Sequence, residues 1–441
     1  MKSKDLQQLV LSKHESGDSI AKIFRDLNGA ISYDTVRRWC NMIEKTGAIQ
    51  LSAPPGPSRI IRTKQMIEKV SLSQTVVTIS GASSGASMAN QMHFAFSNDI
   101  SGCAVLAGPP YYCGGNILTA AACMTGPVTS ISVSLLERKL KSFENDGSID
   151  SLANIKDDPV YIFSGKYDPI ALPSLVKLNE KLYSSFSANI KTNYDLPATH
   201  GFLTETYGGS CAIPNLDTYI NNCNFSLAYD LLNHLHGNHL IKPRSGFVTP
   251  LLGQMILFDQ EAFMYPPALL TYGNEPSSRW MIDSISLYNP IDWGWSTSGL
   301  FNWTLSSVVV PTRNRAAKSR ASSLSFDNDG FVYFPSACAK GLECSIHVAL
   351  HGCKQGKAYV DDVFARKAGY LEIAELNNLI IIFPQVRSSL LFPTNPMGCW
   401  DWWGYTKNNF ATKKGPQMVA VKSMIDTVRM INQAIVRAVS K

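Results

Sequence analysis

Charge is scarce in this chain: Asp, Glu, Lys and Arg make up 17% of its 441 residues, against about 25% in an average soluble protein. With hydrophobic residues at 45%, that scarcity excludes a disordered or highly charged protein. Long apolar runs are also missing. None approaches the ~18 residues of a membrane-spanning helix, and the opening Met1-Lys2-Ser3-Lys4-Asp5-Leu6 holds no apolar stretch of signal-peptide length. The sequence therefore predicts no membrane partner and no export address. No two cysteines form a CxxC pair, and no histidine stands at zinc-finger spacing from two of them, so neither a metal nor another cofactor is expected.

The charge that is present is unevenly placed. Residues 1–70 hold 12 Lys and Arg against 7 Asp and Glu, a balance of +5 within a total of +6. A short basic module thus precedes a long, nearly neutral body. The cysteines divide the same way: Cys40 lies in the module, and the other nine lie in the body. The short gaps 113/123, 211/223 and 338/344 suit local disulfides and a secreted body, with buried reduced thiols as the alternative.

In the module, Leu6, Leu9 and Val10, then Ile20, Ile23, Phe24 and Leu27, then Val36, Trp39, Met42 and Ile43 recur at helical spacing. Three short helices over residues 1–50 are expected, with Ser19 and Ser32 at N-cap positions. The third carries Arg37 and Arg38, as a helix-turn-helix recognition helix lying along phosphates would, so DNA contact by residues 1–65 is one reading. A helical bundle with a solvated basic face is the other. A basic, Pro-rich linker follows at 51–72.

From Gln74 the texture becomes that of an α/β enzyme, with β-branched runs that end in Gly, Asp or His and lead into helical stretches. Strands are expected at 75–79, 103–107, 160–163, 190–194, 331–334, 346–350 and 379–383, in a mostly parallel sheet. Helices are expected at about 360–377 and 417–439. Residues 264–324, rich in Trp, Ser, Asn and Pro, read as an insertion.

The chemistry starts at Gly81-Ala82-Ser83-Ser84-Gly85, a G-x-S-x-G between an apolar strand and a helix of small residues. This is the pattern of a nucleophile elbow: the turn leaves no room for Cβ atoms beside a strained serine, and the N–H of Ser84 can serve an oxyanion. An acid and then a histidine should follow at later strand ends. Asp168 lies beyond the strand 160–163 and a Gly turn, and His200 lies in a His-Gly loop after 190–194. Asp195 is the competing acid. The His-Gly loop that usually precedes the nucleophile is absent there and stands instead at His351-Gly352, after an apolar strand. That order implies a circularly permuted α/β-hydrolase, an exchange that is physically cheap when termini lie close together.

Two resemblances fit these motifs. Residues from about 74 to the C-terminus, the insertion excepted, resemble the extracellular poly(3-hydroxybutyrate) depolymerases. The shared motifs are the Ser83 elbow, Gly165 to Asp168, Thr199-His200-Gly201, Tyr219 to Asn224, Gly330 to Pro335, Leu350-His351-Gly352-Cys353-Lys354-Gln355 and Asn395 to Gly404. The resemblance implies a triad of Ser83, Asp168 and His200, an oxyanion hole made by the N–H groups of Ser84 and Cys353, a Cys353–Cys399 disulfide and an extracellular location. If that disulfide forms, Trp400, Trp402 and Trp403 come near the oxyanion loop, where aromatic faces suit a substrate crevice for a methylated polyester; packing is the alternative. Residues 1–65 resemble the helix-turn-helix of mariner-type transposases, through Ser16 to Phe24, Thr35 to Trp39 and the Pro-Gly-Pro linker.

The leading expectation is a monomeric serine esterase acting on polyhydroxybutyrate or related oligomers. A DNA-binding protein with a degenerate hydrolase, or an esterase acting on feruloyl or acetyl groups of plant polysaccharide, are the alternatives.

Overall fold

The computed structural model of the chain describes residues 3–27, 31, 33–46, 75–115, 117–264 and 320–439. The chain divides into two units, Met1–Gln74 and Thr75–Lys441. Ser32, the linker and nearly all of the expected insertion lie outside the described residues.

The first unit contains helices α1 (Ser3–Glu15), α2 (Ile20–Asp26) and α3 (Tyr33–Thr46). Ser19 caps α2, its hydroxyl accepting from Lys22 N–H. The apolar positions meet in one small core: Val10, Ile23, Leu27, Val36, Trp39, Cys40 and Ile43 are all buried. Lys13 pairs with Asp26 at 2.5 Å, and Lys22 pairs with Asp18.

The second unit is built on an eight-stranded sheet. Its strands are β1 (Val77–Ala82), β2 (Ile100–Leu106), β3 (Pro159–Phe163), β4 (Asn189–Asn193), β8 (Gln254–Asp259), β9 (Asp329–Phe334), β10 (Ser345–Leu350) and β11 (Leu379–Phe383). A second, small sheet joins β5 (Phe202–Thr204), β6 (Gly209–Ser210) and β7 (Ile220–Asn222). The main helices are α4 (Ser84–Ala95), α5 (Leu227–Leu235), α6 (Tyr370–Asn377) and α7 (Pro416–Val439). The large sheet runs β4-β3-β2-β1-β10-β11-β9-β8, with every strand in one direction except β9, which is antiparallel to both its neighbours. β1 is therefore central, paired in parallel to β2 on one side and to β10 on the other.

The buried strands carry apolar side chains on both faces, as a covered parallel sheet requires. In β11, Ile380 and Ile382 enter a core shared with α4 and α7, whereas Ile381 and Phe383 enter one shared with α5 and α6. Strand alternation thus feeds two hydrophobic layers at once.

The strand order also carries the permutation. Counting strands of the large sheet from β8 rather than β1, the order across it becomes 1-2-4-3-5-6-7-8. β1, with the nucleophile elbow at its end, is then fifth and follows β10, with the His351 loop at its end. The half-sheet that should precede the elbow has been moved behind it.

Two expectations change. The apolar stretch at 360–377 is three short helices, Lys357–Val360, Val363–Lys367 and Tyr370–Asn377. Asp361 (φ 53°) and Gly369 (φ 82°) turn the backbone left-handed between them. β8 and the small sheet were not anticipated: β8 is a half-buried edge strand, and β5 to β7 are only two or three residues long.

Candidate active site

Ser83 sits just past β1 with φ 54° and ψ −118°, outside the ordinary regions for a non-glycine residue, and it leads directly into α4. Its amide is held by the Leu106 carbonyl at 2.8 Å. The flanking glycines are sterically required. A Cβ on Gly81 would lie 2.0 Å from Gly85 O, and one on Gly85 would lie 2.5 Å from the carbonyl oxygens of both Leu350 and His351. The elbow is thus packed against the β10 loop as tightly as backbone allows. Ser83 is 9% exposed. Among the described residues its hydroxyl makes no hydrogen bond.

Asp168 and His200 meet. His200 Nδ1 lies 2.7 Å from Asp168 Oδ2, and Asp168 Oδ1 accepts from the N–H groups of Ile170 and Ala171, both at 2.9 Å. Asp168 is 3% and His200 6% exposed. All of this anchors the imidazole from its Nδ1 side and leaves Nε2 without a hydrogen-bond partner among the described residues. Asp195, by contrast, is exposed. Of the other histidines, His14 faces Glu44 in the first unit, His93 faces Tyr183 and Asp158, and His234 faces the Asn189 carbonyl.

The loop after β10 completes the arrangement. A Cβ on Gly352 would stand 3.3 Å from Ser83 Cβ, so residues 351–353 border the elbow although some 270 residues separate them in sequence. His351 is fully buried and orients the loop. Val386 N–H donates to its Nε2 at 3.1 Å, so Nδ1 carries the proton and donates to the Gly352 carbonyl at 2.7 Å. Burial pushes its pKa down to about 4. In a trans peptide the next N–H points opposite to the carbonyl. Pinning Gly352 O on His351 therefore turns Cys353 N–H away from His351. Neither Cys353 N–H nor Ser84 N–H has an acceptor among the described residues, which leaves two unspent donors beside one serine.

Cys353 is bonded to Cys399, with Cα atoms 4.2 Å apart. Three further disulfides join Cys113–Cys123, Cys211–Cys223 and Cys338–Cys344. Cys40 and Cys103 are free and buried.

The tryptophans separate. Trp400 has no exposed surface, its indole N–H donates to His351 O at 3.0 Å, and its backbone N–H donates to Ser84 Oγ at 3.2 Å. It braces the elbow and the loop from beneath, so the expectation that it lines a crevice gives way to a packing role. Trp402 is buried against the Cys113–Cys123 disulfide. Trp403 is half-buried, with Tyr405 4.9 Å from it centroid to centroid. Asp401 organises this turn by accepting from the N–H groups of Gly404, Tyr405 and Thr406, and desolvation raises its pKa. In the first unit Arg37 is exposed on α3, whereas the side chain of Arg38 lies outside the described residues. Among the described residues no cluster of His, Cys, Asp and Glu could hold a metal ion, and no helix is long and apolar enough to cross a membrane.

The chain is 32% identical over 364 residues to a poly(3-hydroxybutyrate) depolymerase of Delftia acidovorans, a match covering 81% of this chain and 60% of that protein. It is 27% identical to a polyhydroxybutyrate depolymerase of Talaromyces funiculosus, over 80% of this chain and 89% of that one. Among solved structures it resembles a serine-to-alanine variant of a PHB depolymerase complexed with an R3HB trimer, with TM-score 0.61, 25% identity, and 80% and 95% of the two chains covered. The PHB depolymerase of Penicillium funiculosum matches equally well, at TM-score 0.60. No family model matches the chain. These likenesses support the depolymerase resemblance in sequence and in fold. They lend nothing to the transposase-like one.

Proposed function

We propose that this chain, a relative of the poly(3-hydroxybutyrate) depolymerases, is a serine esterase that hydrolyses polyhydroxybutyrate or related hydroxyalkanoate oligomers. The observation that carries the proposal is a strained Ser83 with two unspent backbone donors at the end of β1, in a chain that also holds an anchored His200–Asp168 pair. That set matches the requirements of acyl transfer through a covalent intermediate.

Ser83 Oγ attacks the ester carbonyl carbon while His200 Nε2 takes the hydroxyl proton. The carbonyl oxygen becomes an oxyanion that receives the N–H groups of Ser84 and Cys353. Asp168 holds the imidazole in the tautomer this needs and stabilises the imidazolium. Collapse breaks the ester C–O bond, the departing alkoxide takes the proton from His200, and a hydroxyl-ended product leaves. Water, deprotonated by His200, then attacks the acyl-Ser83; the acyl–Oγ bond breaks, Ser83 Oγ takes the proton back from His200, and the carboxylic acid leaves. Of the three tryptophans, the half-buried Trp403 is the one available to touch the polyester. Four disulfides support an extracellular working place, since such bonds persist in oxidising surroundings.

The test uses the purified full chain with p-nitrophenyl butyrate, amorphous polyhydroxybutyrate, and feruloyl and acetyl esters of polysaccharide. Turnover of the first two, together with organophosphonate labelling that mass spectrometry maps to Ser83, is expected. Preference for feruloyl or acetyl esters would move the substrate class, and absence of labelling would sink the serine mechanism.

A further inference from the structure

The oxyanion loop and the histidine loop are far apart in sequence, yet catalysis requires them to be held at a fixed distance. One buried side chain spans them. Gln355 is 2% exposed, and its amide is fully engaged. Oε1 accepts from Gly352 N–H at 2.8 Å, and Nε2 donates to the carbonyls of Thr218 at 2.9 Å and Tyr219 at 3.1 Å. The first bond acts on the residue whose own carbonyl is pinned by His351, so Gly352 is fixed from both of its peptide units. The other two bonds act on the segment that supports His200. The Tyr219 ring meets the His200 ring edge-on at 6.3 Å, and Tyr219 O also accepts from Phe202 N–H, two residues beyond the histidine. Tyr219 has φ 52°, a conformation that costs energy for a non-glycine residue and is kept only where the surroundings hold it.

We infer that Gln355 is a positioning residue that sets the spacing between the oxyanion donor Cys353 N–H and the acid-base His200. This inference rests on the esterase reading above. An amide is the chemical group the place calls for: it must accept from one N–H and donate to two carbonyls at once. A carboxylate could satisfy Gly352 but would set a negative charge against two carbonyl oxygens. A thioether of the same length could donate to neither carbonyl and would offer the Gly352 N–H only a weak acceptor.

The experiment compares wild type, Gln355→Glu and Gln355→Met in the full chain. It measures kcat and KM with p-nitrophenyl butyrate, the rate of organophosphonate inactivation, and thermal unfolding. Both variants are expected to lose kcat by about 10- to 100-fold, the scale of a small misplacement of reacting groups. KM should change less than threefold, and phosphonate inactivation should slow in parallel, because the tetrahedral adduct needs the same two donors. Gln355→Glu, which keeps the Gly352 contact, is expected to stay folded and still show the kcat loss. Wild-type kcat in folded Gln355→Glu would overturn the inference and leave the esterase reading intact. So would a loss that merely follows the unfolded fraction. Wild-type protein that neither turns over the ester nor takes the phosphonate would overturn both.

Discussion

Ser80, within β1, shares a 2.7 Å hydrogen bond with His347 Nε2, whereas Ser83, three residues on and just past the strand, makes no side-chain hydrogen bond among the described residues. On contact distance alone the first pair looks the more catalytic. Its surroundings say otherwise. Ser80 and His347 have no exposed surface, Ser80 also meets Tyr370 OH at 2.7 Å, and His347 Nδ1 meets Thr78 Oγ1 at 2.8 Å. Among the described residues every polar atom of the pair is spent and no carboxylate faces the imidazole, and burial holds the His347 pKa well below its ordinary value. Near Ser83, by contrast, two backbone N–H groups have no acceptor and the hydroxyl is uncommitted among the described residues, and the His200 imidazole of the proposed triad has its acid. A serine beside a histidine is structural when all its bonds are made and chemical when some are withheld for a substrate.

The largest effect that separates the two sites is nucleophile removal. Ser83→Ala should lower kcat for p-nitrophenyl butyrate by on the order of 10⁵- to 10⁶-fold while leaving the unfolding temperature within a few degrees of wild type. His200→Ala should match it, since the members of a triad act as a unit. A Ser83→Ala variant that retained wild-type turnover would hand the chemistry to some other group.

The acid comes next. Asp168→Asn leaves the geometry in place but no longer fixes the tautomer of His200, and a loss of about 10³- to 10⁴-fold in kcat is expected. Asp195→Asn, at an exposed position with no hydrogen bond to the imidazole, should change kcat by less than about twofold. Kinetics in which Asp195→Asn was the more damaging would reverse the assignment.

These expectations also mark how far the sequence could be read. The elbow was legible because G-x-S-x-G came with a buried strand before it and a helix of small residues after it. Asp168 and His200 could be singled out because each lies in the loop after a strand, in the chain order a hydrolase uses, and their side chains do meet. The His351 loop was legible through an apolar strand running into His-Gly, and its late position implied the permuted sheet order. The bracing role of Trp400 was not legible: composition says that an aromatic is amphipathic, but only coordinates say that its N–H is already given to His351. Nor was Gln355, two of whose three partners, the carbonyls of Thr218 and Tyr219, lie more than 130 residues before it. The Ser80, His347 and Tyr370 cluster escaped for the same reason. Strand alternation locates a face, but it does not reveal which polar atoms from segments 267 to 290 residues apart will meet there.

The disulfide should matter less than the triad. Cys353 carries the proposed oxyanion donor, and Cys399 ties its loop to the turn that begins at Trp400. Cys399→Ser should loosen that donor without removing it, so a loss of about 10- to 100-fold in kcat is expected, below the 10²- to 10³-fold typical of deleting a donor outright. Chain entropy adds a stability loss of about 2 to 4 kcal/mol. Kinetics and thermal unfolding of the variant check both, and unchanged kcat would show that His351 and Gln355 suffice to aim the amide.

The smallest effect on catalysis belongs to the buried pair. Ser80→Ala should leave kcat within about threefold of wild type while costing about 1 to 3 kcal/mol of stability, because it deprives His347 and Tyr370 of a buried partner. The same cluster should also give the protein an acid-sensitive fold. His347 is held well below its ordinary pKa, and His236, in contact with Thr78, and His351 are held at about 4, in each case chiefly by desolvation. A histidine whose pKa is depressed by folding is neutral in both states above about pH 6.5 and contributes nothing there. As pH falls below that value the unfolded chain takes up the proton and the folded one does not, so stability declines down to the folded pKa and then levels off. For His351 alone the loss by pH 5 is about 2 kcal/mol. Unfolding midpoints measured from pH 8 to pH 4 should therefore fall mainly below pH 6.5, and the fall should be shallower in a His347→Gln variant that still folds. A midpoint independent of pH across that window would show that these imidazoles take up protons as readily in the folded protein as in the unfolded chain, and the distinction between the structural pair and the chemical one would have to be redrawn.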